Sequence, residues 1–376
     1  MSDDTKYMKR ALSLARRGMG TTSPNPMVGA IIVKDSVIVG KGYHKRAGYP
    51  HAEIVALKEA GEKARGATLY INLEPCSHSG RTPPCVDSII EYGIKRVVAS
   101  MVDPYPLVSG SGIGRLKENG IEVEVGVLGD EARKLNEVYI KYITDKLPFV
   151  TLTLLSTLDG RIVETNEYTK KIIDKKAYLF VQELRDTVDA VMVEFSTSIT
   201  NFSLPRLKKS KRKRKPLLVI VDPFLQIPEK ELLETDMDNK MIMIAVSDKA
   251  DEIRVDACKR KKREILILDH QDSGMNIRGL LEELGKKEIT SLLVEGRGDF
   301  VSCFLHDDLI DKIHIFYIPK ILGEENGVSM ISNLKTSSVK EGVRIRDIKL
   351  KRFDYEIMIQ GYVEHATPRA SEIWSR

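Results

Sequence analysis

Cysteine is scarce in this 376-residue chain: Cys76, Cys85, Cys258 and Cys303 are the whole complement. So few thiols in a chain of this length exclude a disulfide framework and leave metal binding or catalysis for any pair close in sequence. Only Cys76 and Cys85 are close. Cys258, in a charged stretch, and Cys303, on the apolar face of an expected helix, read as inert structural thiols. Long apolar runs are missing too. None approaches the ~20 residues a bilayer span needs, and the opening MSDDTKYMKR has no apolar core of a secretion signal. The expectation is a cytoplasmic protein with no membrane partner. Charge of one sign is also modest: +5 overall permits an anionic ligand but does not by itself argue for nucleic acid.

What is present is a globular balance, 42% hydrophobic and 30% charged. The length favours two domains over one core. Residues 5–18 carry Tyr7, Met8, Ala11, Leu12 and Ala15 on one helical face. Strand patterns follow at VGAIIV from Val28 and SVIVG from Ser36, then a helix from His51 to Ala60 and a strand over 67–73. A helix over 84–92, a strand over 96–102, a helix over 111–118, a strand over 121–127 and one helix over 129–143 continue the alternation. That order implies a mixed sheet with helices on both faces. Asp145-Lys146-Leu147-Pro148 is the expected boundary, because the residue before a proline is biased away from helix. Further strands are expected from Phe149 and at 190–193, 217–221, 240–246, 264–268, 291–295, 312–318, 344–350 and 354–363. The division is therefore 1–146 and 147–376. The basic run Lys208 to Lys215 lies between two strand candidates with no interleaved aromatics, so it reads as a solvated loop in preference to a nucleic-acid patch.

The strongest motif is His51-Ala52-Glu53, followed by Pro75-Cys76 and then Cys85. One imidazole nitrogen and two thiolates make a three-ligand zinc site with a fourth position open to water, the mark of a catalytic zinc. Such a metal lowers the pKa of its water towards ~7. Glu53 is not needed as a ligand and, two residues from His51 at a helix start, suits proton transfer from that water to a leaving amine. His-x-Glu with Pro-Cys and a second Cys is the signature of zinc nucleobase deaminases. Here, however, the cysteines are separated by SHSGRTPP, eight residues instead of two. His78 within that insert reads as a loop residue, and Pro83-Pro84 stiffens the return to Cys85.

On SPNPMVGAIIV (23–33), GYH (42–44), HAE (51–53), LEPCSHSGRTPPC (73–85), DPYPLVSGSG (103–112), PFVTLTLLSTLDGRI (148–162), VEG (294–296) and FYIPKILGE (316–324), the chain resembles the bifunctional deaminase/reductase family of riboflavin biosynthesis. The resemblance implies an α/β fold with a cytidine-deaminase-like three-layer α/β/α domain followed by a dihydrofolate-reductase-like α/β domain. It implies zinc on His51, Cys76 and Cys85, with Glu53 catalytic, and hydrolytic removal of the 2-amino group of 2,5-diamino-6-(5-phosphoribosylamino)pyrimidin-4(3H)-one. Around that substrate it implies Asn25, His44, Arg81, Thr82 and Asp103. Asn25 and Asp103 suit ring donors and acceptors, and His44 and Arg81 suit a phosphate. Asn25 also fits a plain turn between two prolines. Tyr105 stands where the family has asparagine.

The family's second reaction reduces the ribosyl group with NADPH, and here the match degrades. Thr153 replaces a lysine. Thr169-Lys170-Lys171-Ile172-Ile173 replaces a nucleotide-binding segment. Glu194-Phe195-Ser196-Thr197 replaces a glycine-rich loop, Asn201 an acidic residue, and Arg297 the second glycine of a Val-Glu-Gly-Gly turn. Asp159, Gly160, Thr197 and Glu295 are the reductase-like candidates that remain. Loss of backbone cradle and charged contacts together predicts absent or impaired reduction, with the domain serving homo-oligomerisation. A fully bifunctional enzyme is the alternative. A deaminase acting on a base in RNA or DNA is disfavoured by the long cysteine spacing and the lack of aromatic stacking residues. A non-catalytic protein is disfavoured by the complete metal set.

Overall fold

The computed structural model describes residues 3–77, 84–106, 108–162, 173–195, 215–228, 242–261, 264–271, 275–323, 328–334, 336 and 338–365. The chain divides into two compact units, the first spanning Met1–Lys146 and the second Leu147–Thr367.

The first unit runs α1 (Asp3–Ala15), β1 (Gly29–Lys34), β2 (Val37–Tyr43), α2 (Ala52–Ala60), β3 (Thr68–Ile71), α3 (Cys85–Glu91), β4 (Arg96–Ala99), α4 (Ser111–Glu118), β5 (Glu122–Val125), α5 (Gly129–Leu135) and α6 (Glu137–Asp145). The five strands lie in the order β2-β1-β3-β4-β5, antiparallel from β2 to β3 and parallel from β3 to β5. Alternate strand residues point to opposite faces. Ile32, Leu69, Ile71 and Val97 pack with Ala56, Leu57, Val86 and Ile89 of α2 and α3, while Ile31, Tyr70 and Val98 pack with Met8 and Leu12 of α1. That makes three layers, helix on sheet on helix. The single helix expected over 129–143 is broken at Asn136. Its side chain turns away to accept from the Met27 amide at 2.8 Å and donate to the Met27 carbonyl at 3.1 Å.

The second unit runs β6 (Phe149–Thr157), β7 (Arg161–Ile162), α7 (Lys175–Thr187), β8 (Ala190–Glu194), β9 (Leu217–Val221), β10 (Ile242–Ser247), α8 (Glu252–Arg260), β11 (Glu264–Leu268), α9 (Ile277–Lys286), β12 (Ser291–Glu295), α10 (Gly298–His306), β13 (Lys312–Ile318), β14 (Val328–Ser329), β15 (Ile345–Arg352) and β16 (Ile357–Val363). A nine-stranded sheet has the order β11-β10-β9-β8-β12-β6-β13-β16-β15, parallel as far as β13 and antiparallel beyond. Fully buried β9, and β8 up to its half-buried last residue Glu194, read as unbroken apolar runs, as a sheet covered on both faces requires. One face packs on Leu280, Leu284, Phe300 and Phe304 of α9 and α10, and the other carries Val255 and Cys258 of α8. Cys258 is thus core, and Cys303 packs at the edge of the α9–α10 core. The strand order reverses at β6 and β12, and ligands of open α/β sheets bind outside the carboxyl ends of strands at such a reversal.

Candidate active site

α2 carries the first half of the metal motif. His51 is its extended N-cap residue, and Glu53 sits in its first turn, 2% exposed. The helix lies against β2 so closely that a Cβ on Gly42 would come within 2.2 Å of the Ala52 carbonyl oxygen, and one on Gly40 within 2.3 Å of that of Ala56. Two glycines on one strand therefore fix the height of the helix above the sheet. Cys76 follows β3 in an irregular segment, and Cys85 opens α3. The second thiol is brought back to the first by the Val86 amide, which donates to the Cys76 carbonyl at 3.2 Å, and by the Cys85 amide, which donates to the Cys76 sulfur at 3.4 Å.

The result is one cluster. Nδ1 of His51 is 3.1 Å from Sγ of Cys85 and 3.7 Å from Sγ of Cys76, and ligand atoms of His51, Glu53, Cys76 and Cys85 all lie within 4.8 Å of one another. One nitrogen, two sulfurs and a carboxylate converging in a buried recess fit zinc, with Nδ1 as the imidazole ligand. Electrostatics divide the pair: hydrogen bonding from Cys85, then from His51, draws the Cys76 thiol down against the opposing effect of burial, while the contact with Cys76, burial and the Glu53 charge push the Cys85 thiol up. Burial pushes the Glu53 carboxyl up, as suits a group that must take up and release a proton.

The substrate candidates separate. Asn25 donates through Nδ2 to Nε2 of His44 at 3.1 Å, and Nδ1 of His44 donates to the Pro50 carbonyl at 3.2 Å. The His44 ring, 2% exposed, stands edge-on to His51 with centroids 5.4 Å apart, and burial lowers its pKa. Both of its nitrogens are thus engaged, and the ring packs beside the metal-ligand candidate His51. Asp103 accepts from the Tyr105 amide and from the Tyr139 hydroxyl, each at 2.9 Å. Tyr105 thus enters the structure through its backbone and through its ring, 5.7 Å from Nζ of Lys146. His78, Arg81 and Thr82 lie outside the described residues, as do Thr169–Ile172, Thr197, Asn201 and most of the basic run from Lys208.

Sequence reasoning missed two residues here. Glu74, buried before Pro75, accepts four backbone amides. Asn72, fully buried, accepts from the Gly29 amide at 2.8 Å and donates to the Met27 carbonyl at 2.9 Å. The only signals were a polar side chain inside the expected strand over 67–73, for Asn72, and an acidic one just after it, for Glu74.

In the second unit, Asp159, Gly160 and Glu295 come to the carboxyl ends of neighbouring β6 and β12. Asp159 accepts from the Thr157 hydroxyl at 2.6 Å and the Gly323 amide at 2.9 Å, which holds its carboxyl down at about 2. Glu295 is met by Arg185 of α7 in a two-point pair, 2.7 and 2.6 Å, with both side chains largely buried. Across the sheet, Glu295 is in register with Thr153, and Thr153 with His314. The Thr153 hydroxyl and both His314 ring nitrogens are buried without hydrogen-bond partners. Beyond Glu295, Gly296-Arg297-Gly298 opens α10, whose N-cap supplies no side-chain oxygen to the first amides.

Compared with known proteins, residues 1–101 match the cytidine and deoxycytidylate deaminase zinc-binding region, and residues 148–359 match the RibD C-terminal domain. The riboflavin biosynthesis protein RibD of Aquifex aeolicus is 42% identical over 357 residues, 95% of this chain and 97% of its own. Acinetobacter baumannii RibD aligns with a TM-score of 0.82 at 33% identity, covering 96% of this chain and 99% of that one. A diaminohydroxyphosphoribosylaminopyrimidine deaminase/5-amino-6-(5-phosphoribosylamino)uracil reductase from Thermotoga maritima aligns at 0.79 and 34%, with the same coverage. These matches run through both units and give no support to the expectation that the second unit has lost its reaction. Of the departures behind that expectation, those at 169–172, 197 and 201 fall outside the described residues. Arg297 adds a cation at a helix N-terminus, where an anion is favoured.

Proposed function

Because the chain belongs to the RibD family of riboflavin biosynthesis, with a zinc-binding deaminase domain and a RibD reductase domain, we propose that it performs both family steps on one phosphoribosyl pyrimidine. The first, in residues 1–146, is hydrolytic deamination of 2,5-diamino-6-(5-phosphoribosylamino)pyrimidin-4(3H)-one to 5-amino-6-(5-phosphoribosylamino)uracil. The second, in residues 147–376, is NADPH-dependent reduction of the ribosyl group. The observation that carries the first step is the four-residue donor cluster within 4.8 Å.

His51, Cys76 and Cys85 would hold zinc, which supplies Lewis-acid activation of the attacking water. Glu53, buried and raised, takes the proton of that water on its carboxylate and delivers it to the departing amine, so that ammonia leaves and one oxygen is gained. The Asn25 amide, oriented by His44, presents its carbonyl oxygen to a ring N–H, and Asp103 accepts a second. Arg81 and Thr82 are proposed for the phosphate. His44 acts here by orienting Asn25 and His51. In the second domain, Gly296-Arg297-Gly298 at the N-terminus of α10 would hold a phosphate of NADPH, while Arg185 fixes Glu295 beside it. Among the described residues no helix is long and apolar enough to cross a membrane. We also infer a homo-oligomer through the second domain, whose edge strand β15 exposes Ile348 and Leu350.

The test incubates zinc-loaded protein with the diaminopyrimidine nucleotide, with and without NADPH, and identifies products by mass. Exchange of one amino group for oxygen without NADPH, and a further gain of two hydrogens with it, is expected. Absence of ammonia release sinks the first step. Deamination with no gain of hydrogen sinks the second alone.

A further inference from the structure

Glu74 leaves β3 immediately before Pro75-Cys76 and is 4% exposed. A carboxylate so buried needs its oxygens satisfied. Here each accepts two backbone amides. Oε2 takes those of Asp103 and Gly110, both at 3.0 Å, and Oε1 those of Gly112 at 2.9 Å and Ile113 at 3.1 Å. The last two belong to the first turn of α4, whose amides have no partner within the helix and whose dipole favours an anion. Two further contacts close the same junction. A Cβ on Gly112 would meet the Pro75 carbonyl oxygen at 2.1 Å, and the Ser77 and Ser111 hydroxyls are 2.6 Å apart.

Cys76 itself is anchored from the other side, by the amides of Cys85 and Val86. Cys76 thus has hydrogen bonds that do not involve Glu74, whereas the amides of Asp103, Gly110, Gly112 and Ile113 all end on its carboxylate. We propose that Glu74 is a positioning residue for deamination: its carboxylate seats the Asp103–Ile113 segment against the metal-ligating loop and so governs substrate affinity, not metal retention or proton transfer. This rests on the deamination reading above.

The experiment measures ammonia release, KM, kcat and bound zinc in the full chain. Glu74→Gln places an amide NH₂ against amide donors, so KM should rise about tenfold or more while kcat stays within about threefold, with zinc content unchanged. Glu74→Asp, which keeps the charge, should recover part of the affinity. Should Glu74→Gln not fold, Ser111→Ala removes the hydroxyl contact with Ser77 at the same junction and should raise KM in the same direction with zinc content unchanged. An unchanged KM in the folded variants, or a rise that tracks zinc loss, overturns the proposal. A wild-type protein that releases no ammonia removes the deamination reading itself, an outcome distinct from failure at Glu74.

Discussion

Substituting His314 with leucine should stabilise the second unit, and more so as the solution becomes acidic. The ring lies on β13 opposite Thr153, with Phe180 of α7 6.2 Å away and Lys312 two residues back on the same strand. Burial first, and then the Lys312 charge, press its pKa down to about 4, against the raising effect of its cross-strand neighbour Gln360. In the unfolded chain the same ring titrates near its ordinary 6.5. Between those values the unfolded state binds a proton that the native state refuses, so stability falls as pH drops from about 6.5 towards 4. At pH 5 the loss amounts to roughly 2 kcal/mol relative to pH 8. Leucine has no such titration, and at pH 8 it also replaces a buried ring whose cross-strand polar neighbour is the Gln360 side chain, a change that is neutral or favourable by about 1 kcal/mol. Differential scanning calorimetry of the whole chain reads the effect. A chelator shifts the transition of the zinc-binding unit, and the transition left in place belongs to the second unit. For a domain of this size roughly 2 kcal/mol corresponds to about 4–8 °C in Tm. Tm-versus-pH curves for the variant and the wild type that run parallel from pH 8 to pH 5 would refute the reasoning.

Three other perturbations follow from the same structure. Glu53→Gln should lower ammonia release by about 10²–10⁴-fold while zinc content holds, because proton transfer is lost and the three metal ligands remain; metal analysis beside the rate assay checks both halves. Arg185→Leu strands the Glu295 carboxylate in a largely buried position and should cost the second unit about 3 kcal/mol, with most of it recovered when Glu295→Leu is added; a double variant as unstable as the single one contradicts this. Asp174 caps α7, and although burial opposes its charge, the Ala177 amide, the Glu356 side chain and the amides of Tyr355 and Asp354 hold its carboxyl at about 2. Its contribution is therefore present above about pH 4 and fades as pH falls towards 2. Asp174→Ala should cost about 1 kcal/mol at neutral pH and flatten that acid limb in urea titrations.

The metal centre was legible because its residues sit at the ends of regular elements, where the chain itself brings them together: an N-cap, a strand exit and a helix start. Strands were legible for a similar local reason, since β9, β11, β12 and β13 coincide with apolar runs bounded by polar residues. Two helices of the second unit were not. α7 buries only Ala177 and Gln182, and α8 only Val255 and Cys258, so neither carries an apolar stripe wide enough to declare a period. Other features depend on partners remote in sequence. The break at Asn136 is made by Met27, 109 residues earlier, and the Glu74 carboxylate answers to amides 29 to 39 residues later. The surroundings of His44 depend on such partners too: its residue type suits a phosphate, and in the fold its two nitrogens meet Asn25 and Pro50.

The two glycines beneath α2 bear on how this protein can vary. Gly40 and Gly42 have no side chain to offer a ligand atom, yet a methyl at either position runs into a helix carbonyl. The helix they support begins at the histidine that faces both thiols. A saturation library scored for zinc uptake should therefore show these positions as intolerant as the ligands themselves, with alanine failing as completely as any larger residue. Exposed Lys41 between them should accept wide replacement. Selection at the metal would then be recorded on β2 as an alternation of fixed and free positions, written by a strand that never meets the ion.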